Sequence, residues 1–338
     1  MKKNTKDKLL SICIFTYNRQ PYLSQLLLSI ENEFRKPELN QSVEIIISDN
    51  ASTDKTSEIV SYFTQFLPIN YHRNKINLGA DENLKIAATL AKGKFIWFIS
   101  DDDIVIHGAI NIILQFLQKY DEYSYIYFPR VLANSLGDII EGLAPEPNID
   151  KTQHFNSGIE LLSSNKGRML GLFLFVSSII VKRALWEKNI GMYKTKIRGW
   201  SHAIPILNII KNAKCAIIKD PGIICRLNNS NEISSLVWFD NYIKVFLYAK
   251  NIGFPEQVCD KKIKDIVSHS ERLFLLDKMR GVRSDNIEIC LKKLNCQELL
   301  IYKTIMVRLS RLPRLILAPI YYIYSIKRKI LLHVQYNQ

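Results

Sequence analysis

The sequence predicts an α/β fold: a mainly parallel sheet flanked by helices, followed by a helical C-terminal extension. Three observations predict it. Strand-length apolar runs alternate with helix-like stretches over the first 130 residues, an order that builds parallel sheets with helices on both faces. The ends of three of those runs carry polar clusters, and ligands collect at the carboxyl edge of such sheets. From position 237 onward, helical patterning takes over.

The elements follow in order. Residues 9–15 read as a buried strand. Pro21 suits the first turn of a helix, and Leu23, Leu26, Leu27 and Ile30 recur at helical spacing. Residues 43–48 form a second β-rich run. Asp54 is placed to cap a helix carrying Ile59, Val60 and Phe63. Residues 69–72 make a short third strand. Asn77-Leu78-Gly79 is turn chemistry, and helix follows over 81–90. Residues 95–99 form another buried strand that ends in three aspartates. Residues 110–117 are helical and 123–128 strand-like. Residues 131–165, with several Gly and Asn and an Ala-Pro-Glu-Pro-Asn run, read as a loop-rich insertion. Mixed sheet-and-helix texture returns over 166–228. The expected division is one α/β domain over 1–235, in two parts that meet at about residue 130, then a helical extension over 236–338.

Composition narrows the partners. The chain has 338 residues, 47% hydrophobic and 23% charged, and a formal net charge of +14. A surplus of that size points to an anionic partner: nucleic acid, phosphate-rich substrate or acidic membrane surface. Seven cationic residues, from Lys303 to Lys329, fall in the last 38 positions with no acidic residue among them. The rest form no block, and no nucleic-acid recognition motif occurs, so nucleic acid is not expected as a partner. The six cysteines, Cys13, Cys215, Cys225, Cys259, Cys290 and Cys296, make no C-x-x-C pair. They read as buried thiols in a reducing compartment. The apolar runs over 169–181 and 315–326 fall short of the roughly 20 residues that span a bilayer, and the N-terminal run is too short for a signal peptide.

Three motifs carry chemistry. Asp101-Asp102-Asp103 closes the strand over 95–99. Adjacent carboxylates at a buried strand end repel one another unless a cation or solvent relieves them. Oxygen-only ligands suit Mg²⁺ or Mn²⁺, which also bind diphosphates; the alternative is an exposed acidic turn that caps the next helix. In the segment from Ser48 to Thr56, Asp49 is placed to accept hydrogen bonds from a base or ribose, the alternative being an ordinary loop before a capped helix. In Thr16-Tyr17-Asn18-Arg19, Arg19 is the candidate phosphate contact.

Together these segments resemble glycosyltransferase family 2, on the GT-A fold. Its T-[YF]-N-R turn corresponds to Thr16-Tyr17-Asn18-Arg19. Its D-[DNG]-x-S-x-D-x-T segment corresponds to the run from Asp49 to Thr56. Its N-x-G corresponds to Asn77-Leu78-Gly79 with Asn83 following, and its A-x-G-x-[YF]-[IV] lead into the acidic motif to Ala91-Lys92-Gly93-Lys94-Phe95-Ile96. The likeness covers residues 9–115 well and 170–230 loosely. The Ser-Asp-Asp-Asp form is similar to the abequosyltransferase-like branch of bacterial surface polysaccharide enzymes. The resemblance implies transfer of a sugar from a nucleotide-sugar donor to a lipid-linked or oligosaccharide acceptor, with inversion, assisted by Mn²⁺ or Mg²⁺. It implies donor contacts from Thr16, Tyr17, Asn18, Arg19, Asp49, Asn50, Ser52, Gly79, Asn83 and Asp101, with the base at Asp49. Asp102 and Asp103 would hold the metal, directly or through water.

The chain departs from the family at three places. Ser100 replaces the usual first Asp of the acidic motif. Glu82 stands where an Arg is common. Arg226-Leu227-Asn228 stands where many members carry R-x-H. Where members place a Glu-Asp pair supplying the catalytic base, the loose alignment puts Ser201-His202. A histidine with its ordinary pKa of about 6.5 suits that role, the alternative being a structural histidine at a helix start. Of the other histidines, His72 and His107 flank the donor part, and His154, His269 and His333 are isolated.

The basic C-terminal segment, with Tyr321, Tyr322 and Tyr324 between its cationic blocks, reads as interfacial. Tyrosines favour the headgroup zone, and each Lys or Arg near an anionic leaflet contributes about 1 kcal/mol. The expected location is the inner face of the cell membrane, bound peripherally; the alternative is a helix packed on the domain with a solvated basic face. Two other functions are weighed. A nucleotidyltransferase making nucleotide sugars normally opens with a Gly-rich phosphate loop, absent here. An inactive scaffold would be consistent with Ser100, Glu82 and Asn228.

Overall fold

A computed structural model of the protein describes residues 8–34, 39–134, 136–140, 145–164, 172–194, 197, 199–226 and 235–265. The chain divides into two compact units, 1–229 and 230–338.

The first unit is built on a mixed sheet whose first half is parallel. Strands β1 (Leu10–Thr16), β2 (Val43–Asp49), β3 (Ile69–Arg73) and β4 (Phe95–Ser100) are parallel in the order β3-β2-β1-β4. The helices between them are α1 (Gln20–Glu33), the short α2 (Leu39–Ser42), α3 (Thr56–Phe63) and α4 (Ala80–Thr89). The element order matches the sequence expectation, and the reason is apolar content. Phe95 to Ile99 are all fully buried, so β4 is covered on both faces, as parallel strands are. Helix α1 buries Leu23, Leu26, Leu27 and Ile30, the residues its helical spacing selects.

Past β4 come β5 (Ile104–Val105), α5 (Ala109–Lys119), β6 (Tyr125–Tyr127) and β7 (Arg130–Ala133). The segment read as a loop-rich insertion holds more regular structure than composition suggests. It contains β8 (Gln153–Phe155) and α6 (Gly158–Ser163), whose first turn is capped by Ser157 Oγ accepting from the Glu160 amide. Each element is too short to display a period, so turn residues dominate the reading. Then follow β9 (Ile179–Lys182), α7 (Arg183–Asn189), α8 (Ala203–Ile210), β10 (Cys215–Ile217) and β11 (Ile223–Arg226). The main sheet continues from β4 through β9, β6, β10 and β8, and β5, β11 and β7 form a second sheet. The antiparallel partner β9 ends the parallel block beside the strand that carries the aspartates.

Two close approaches explain particular residues. Gly93, just before β4, has no room for a side chain: a Cβ there would lie 2.6 Å from the Ser11 amide nitrogen. Trp97 on β4 donates its indole N–H to the Ser177 carbonyl at 2.8 Å and meets Phe128 edge-on.

The second unit contains α9 (Ser235–Asn251) and further helical residues from 256 to 265. Lys250 pairs there with Glu256 and Asp260. Among the described residues no helix is long and apolar enough to cross a membrane. The C-terminal segment read as interfacial lies outside the described residues, as do Leu227, Asn228, Cys290 and Cys296.

Candidate functional site

The three polar clusters meet at one edge of the main sheet. Thr16 at the end of β1 is in register with Asp49 at the end of β2, and Phe15 is in register with Ser100 at the end of β4. Asp49 and the acidic run thus flank β1, two strand spacings or roughly 10 Å apart. The loop after β1 lies between them.

Asp49 is fully buried yet lies in a polar setting. Its Oδ1 accepts from the Ser52 amide at 2.8 Å and its Oδ2 from the Tyr71 hydroxyl at 2.6 Å. Arg73 Nε lies 3.6 Å from Oδ2 while its Nη2 donates to the Ser52 carbonyl. Burial, then the bonded carboxylate, pushes the Tyr71 phenol well above its ordinary pKa. Tyr71 and Arg73, both on β3, escape a sequence reading because they reach Asp49 across a strand pair. The turn is shaped by unusual backbone: Asn18 and Ala51 both have positive φ, 51° and 65°. Asn18 donates its amide to Ser52 Oγ and accepts with its side-chain oxygen from the Thr53 amide, stitching the loops after β1 and β2. Tyr17 is exposed at the rim.

Behind this lies an asparagine network. Asn83, buried on α4, accepts from Ser48 Oγ at 2.7 Å and donates to the carbonyls of Ser48 and Thr16. Asn74 bridges Asn83 and Asn50, and Asn50 also donates to Asn77. Gly79, with φ 87°, ends the turn and starts α4; L-residues pay a steric penalty in that region. Glu82 pairs with Lys85 at 2.8 Å, an ordinary first-turn acid on a helix.

The acidic run shows a division of labour. Arg19 Nη1 donates to Asp101 Oδ1 at 3.0 Å and to Asp102 Oδ2 at 3.1 Å. Asp102 also accepts from Ser100 Oγ at 2.6 Å and keeps 17% side-chain exposure. Asp101 and Asp103 are buried. Burial raises the Asp101 carboxyl to about 6; Arg19 opposes that rise and Asp102 adds to it. Burial, then Asp102, holds Asp103 well above the carboxylate range, and its Oδ2 has no hydrogen-bond partner. The donors are all oxygen, two of them converge on one cationic nitrogen, and one buried acceptor is unsatisfied. That chemistry fits a hard divalent cation. Among the described residues no group of three or more Asp, Glu, His or Cys forms a ready-made metal cage. Arg226, at the end of β11, is buried and donates through Nη1 to the Asp102 carbonyl at 2.6 Å.

His202 sits apart in character. It is 2% exposed, immediately before α8, and its Nε2 lies 3.2 Å from the Leu174 carbonyl. Burial lowers its pKa to about 4, against the pull of Asp81 and the Leu174 carbonyl. This is the setting of a neutral, structural imidazole rather than of a base poised near neutrality. The turn before it is tied to α4: Asp81 accepts from the amides of Gly199 at 2.9 Å and Ser201 at 3.4 Å. A cavity of about 380 Å³ is lined by Ser29, Asn32, Val105 and His107, none of them in the clusters above.

The sheet order, the stitched loops and the acidic strand end define a class, the GT-A glycosyltransferases. The profile of the family described as "Glycosyl transferase family 2" matches residues 11–149. The abequosyltransferase RfbV of Salmonella typhimurium is 32% identical over 264 residues, which cover 72% of this chain and 77% of that protein. A Campylobacter jejuni enzyme, GalNAc(5)-diNAcBac-PP-undecaprenol beta-1,3-glucosyltransferase, is 30% identical over 48% of this chain and 51% of its own length. The structure of Staphylococcus aureus TarS residues 1–349 with UDP-GlcNAc superposes with a TM-score of 0.62 at 15% identity, over 88% of each chain. The mannosyltransferase PcManGT of Pyrobaculum calidifontis, in complex with GDP-Man and Mn2+, gives 0.50 at 13% identity over 96% of this chain and 87% of its own. The chain belongs to glycosyl transferase family 2 and is a glycosyltransferase.

Proposed function

We propose that this enzyme moves a sugar from a nucleoside-diphosphate sugar to a hydroxyl of a lipid-linked or oligosaccharide acceptor, with inversion, in the synthesis of a bacterial surface polysaccharide such as O-antigen or capsule. The observation that carries the donor side is the convergence of Asp49, Arg19 and Asp101–Asp103 on the end of β1. The names of the Salmonella and Campylobacter relatives support the acceptor class, and the basic C-terminal segment supports a peripheral place on the inner membrane face.

The residues divide the work as follows. Asp49 takes hydrogen bonds from the nucleotide base, with Tyr71 and Arg73 fixing its carboxylate. Thr16, Tyr17, Asn18, Asn50, Ser52, Gly79 and Asn83 shape the cleft floor and the nucleotide's path across it. Arg19 turns toward the diphosphate, and Asp101 toward ribose or diphosphate. Asp102, the most accessible member of the run, and Asp103 would hold the metal, directly or through water. A bound Mn²⁺ or Mg²⁺ supplies charge neutralisation for the departing nucleoside diphosphate; the Mn²⁺ complex of the mannosyltransferase supports that choice. An acceptor hydroxyl attacks the anomeric carbon from the face opposite the leaving group. His202, the candidate to take its proton, is buried with its Nε2 against the Leu174 carbonyl.

The test is titration of the protein with UDP-, dTDP-, CDP- and GDP-sugars with and without Mn²⁺, followed by product analysis with the donor that binds. Metal-dependent binding of one donor and an inverted product are expected. A product that keeps the donor's anomeric configuration rules out the single displacement.

A further inference from the structure

Tyr22 belongs to no motif, yet the acidic run depends on it geometrically. It lies in the first turn of α1, half-buried. The guanidinium of Arg19 sits 5.6 Å from its ring centroid and that of Arg226, from β11, sits 5.4 Å away. Each arginine then grips the same turn from a different side. Arg19 holds the carboxylates of Asp101 and Asp102. Arg226 holds the main-chain carbonyl of Asp102 and also bonds to Gln25, one turn along α1 from Tyr22. Two like charges that share one support would repel without a negative partner. The ring's π-face supplies part of that partner and the aspartates supply the rest.

From this we infer that Tyr22 is a positioning residue: its aromatic face braces Arg19 and Arg226, and through them fixes Asp102 for binding the donor diphosphate and its metal. The inference rests on the donor reading above. Bulk alone does not account for the arrangement. Tyr22 is not a core residue, and both guanidiniums lie within the roughly 6 Å range of a ring–cation attraction. Arg226 Nε is buried and without a hydrogen-bond partner, so hydrogen bonds hold this guanidinium only through its Nη atoms.

The experiment varies the ring's electrostatics at constant shape. Tyr22 is replaced by Phe, then by di- and trifluorinated phenylalanines through amber suppression, and Tyr22→Leu is made alongside. Binding of Mn²⁺ with each of UDP, dTDP, CDP and GDP is measured calorimetrically on the wild type, and the tightest pair is carried through the series. Melting temperatures are recorded for every variant. Tyr22→Phe is expected to bind within about twofold of wild type. Affinity should then fall with each added fluorine, to about tenfold weaker for trifluorophenylalanine, at unchanged melting temperature. Tyr22→Leu should bind at least as weakly as the trifluorinated variant. A flat fluorination series overturns the brace while leaving the donor reading intact. A loss in Tyr22→Phe as large as in Tyr22→Leu also overturns it, by making the hydroxyl responsible. Failure of the wild type to bind any of the four nucleotides overturns the donor reading and the brace with it.

Discussion

Arg19 and Asp101, 82 residues apart in the chain, are joined by a 3.0 Å ion pair at the sheet edge. The arginine is a cation that favours the charged form of a buried carboxylate at the end of β4. Arg19→Gln therefore leaves Asp101 and Asp102 uncompensated. Breaking such a pair costs up to about 3–5 kcal/mol when fully buried, and the partial exposure of Arg19 brings the expected loss nearer 1–2 kcal/mol. Chemical denaturation at neutral pH checks this. Mn²⁺ should restore more stability to the variant than it adds to wild type, because it takes the vacated position; equal metal responses would separate Arg19 from the metal site.

Asp49 makes a second prediction. Asp49→Asn keeps the shape and most hydrogen-bonding capacity but removes the charge that Tyr71 and Arg73 face. A hydrogen bond to a charged group contributes about 1.5–3 kcal/mol. Donor KM should rise about tenfold or more, with kcat changed far less, since the base lies away from the reacting carbon. Steady-state kinetics over a range of donor concentrations would show it. A fall in kcat at unchanged KM would place Asp49 at the chemistry instead.

His202 gives a pH signature. Its folded pKa is about 4 against about 6.5 unfolded. Between those values the unfolded chain binds more protons, so stability rises with pH across the window. The contribution is complete above about pH 6.5 and is lost as pH falls toward 4. The full shift corresponds to about 3 kcal/mol. Urea melts of wild type and His202→Gln between pH 4 and 7 should show a shallower slope in the variant. Identical slopes would mean that His202 is not buried and neutral in the native protein.

Gly79 tests the backbone of the turn before α4. Its φ of 87° falls where a Cβ is strained, though the space around it is open. Gly79→Ala should cost about 1–3 kcal/mol, read as a lowered melting temperature, without loss of the fold.

Much of this was legible in the sequence because parallel strands announce themselves. β1, β2 and β4 are apolar runs of strand length, and their ends carry compact polar words, Thr16 to Arg19, Asp49 to Thr56, Asp101 to Asp103. Local order along the chain was enough to place those words on one edge. What escaped depends on contacts between distant segments. Tyr71 and Arg73 reach Asp49 across a strand pair. Arg226 reaches Asp102 across 124 residues, and Tyr22 acts through two arginines from different elements. The short β7, β8 and α6 were hidden by turn-rich composition. His202 has suitable chemistry for a base, but its burial, which no single sequence displays, lowers its pKa.

The central claim is that the acidic strand end binds a nucleoside diphosphate through a divalent cation held by Asp102. Calorimetric titration of wild type and Asp102→Asn with UDP, dTDP, CDP and GDP, each with and without Mn²⁺, tests it directly. One nucleotide should bind the wild type in a Mn²⁺-dependent way and bind Asp102→Asn at least about tenfold more weakly. Equal affinity in the two proteins with the same metal dependence, or no binding of any nucleotide to the wild type, would contradict it.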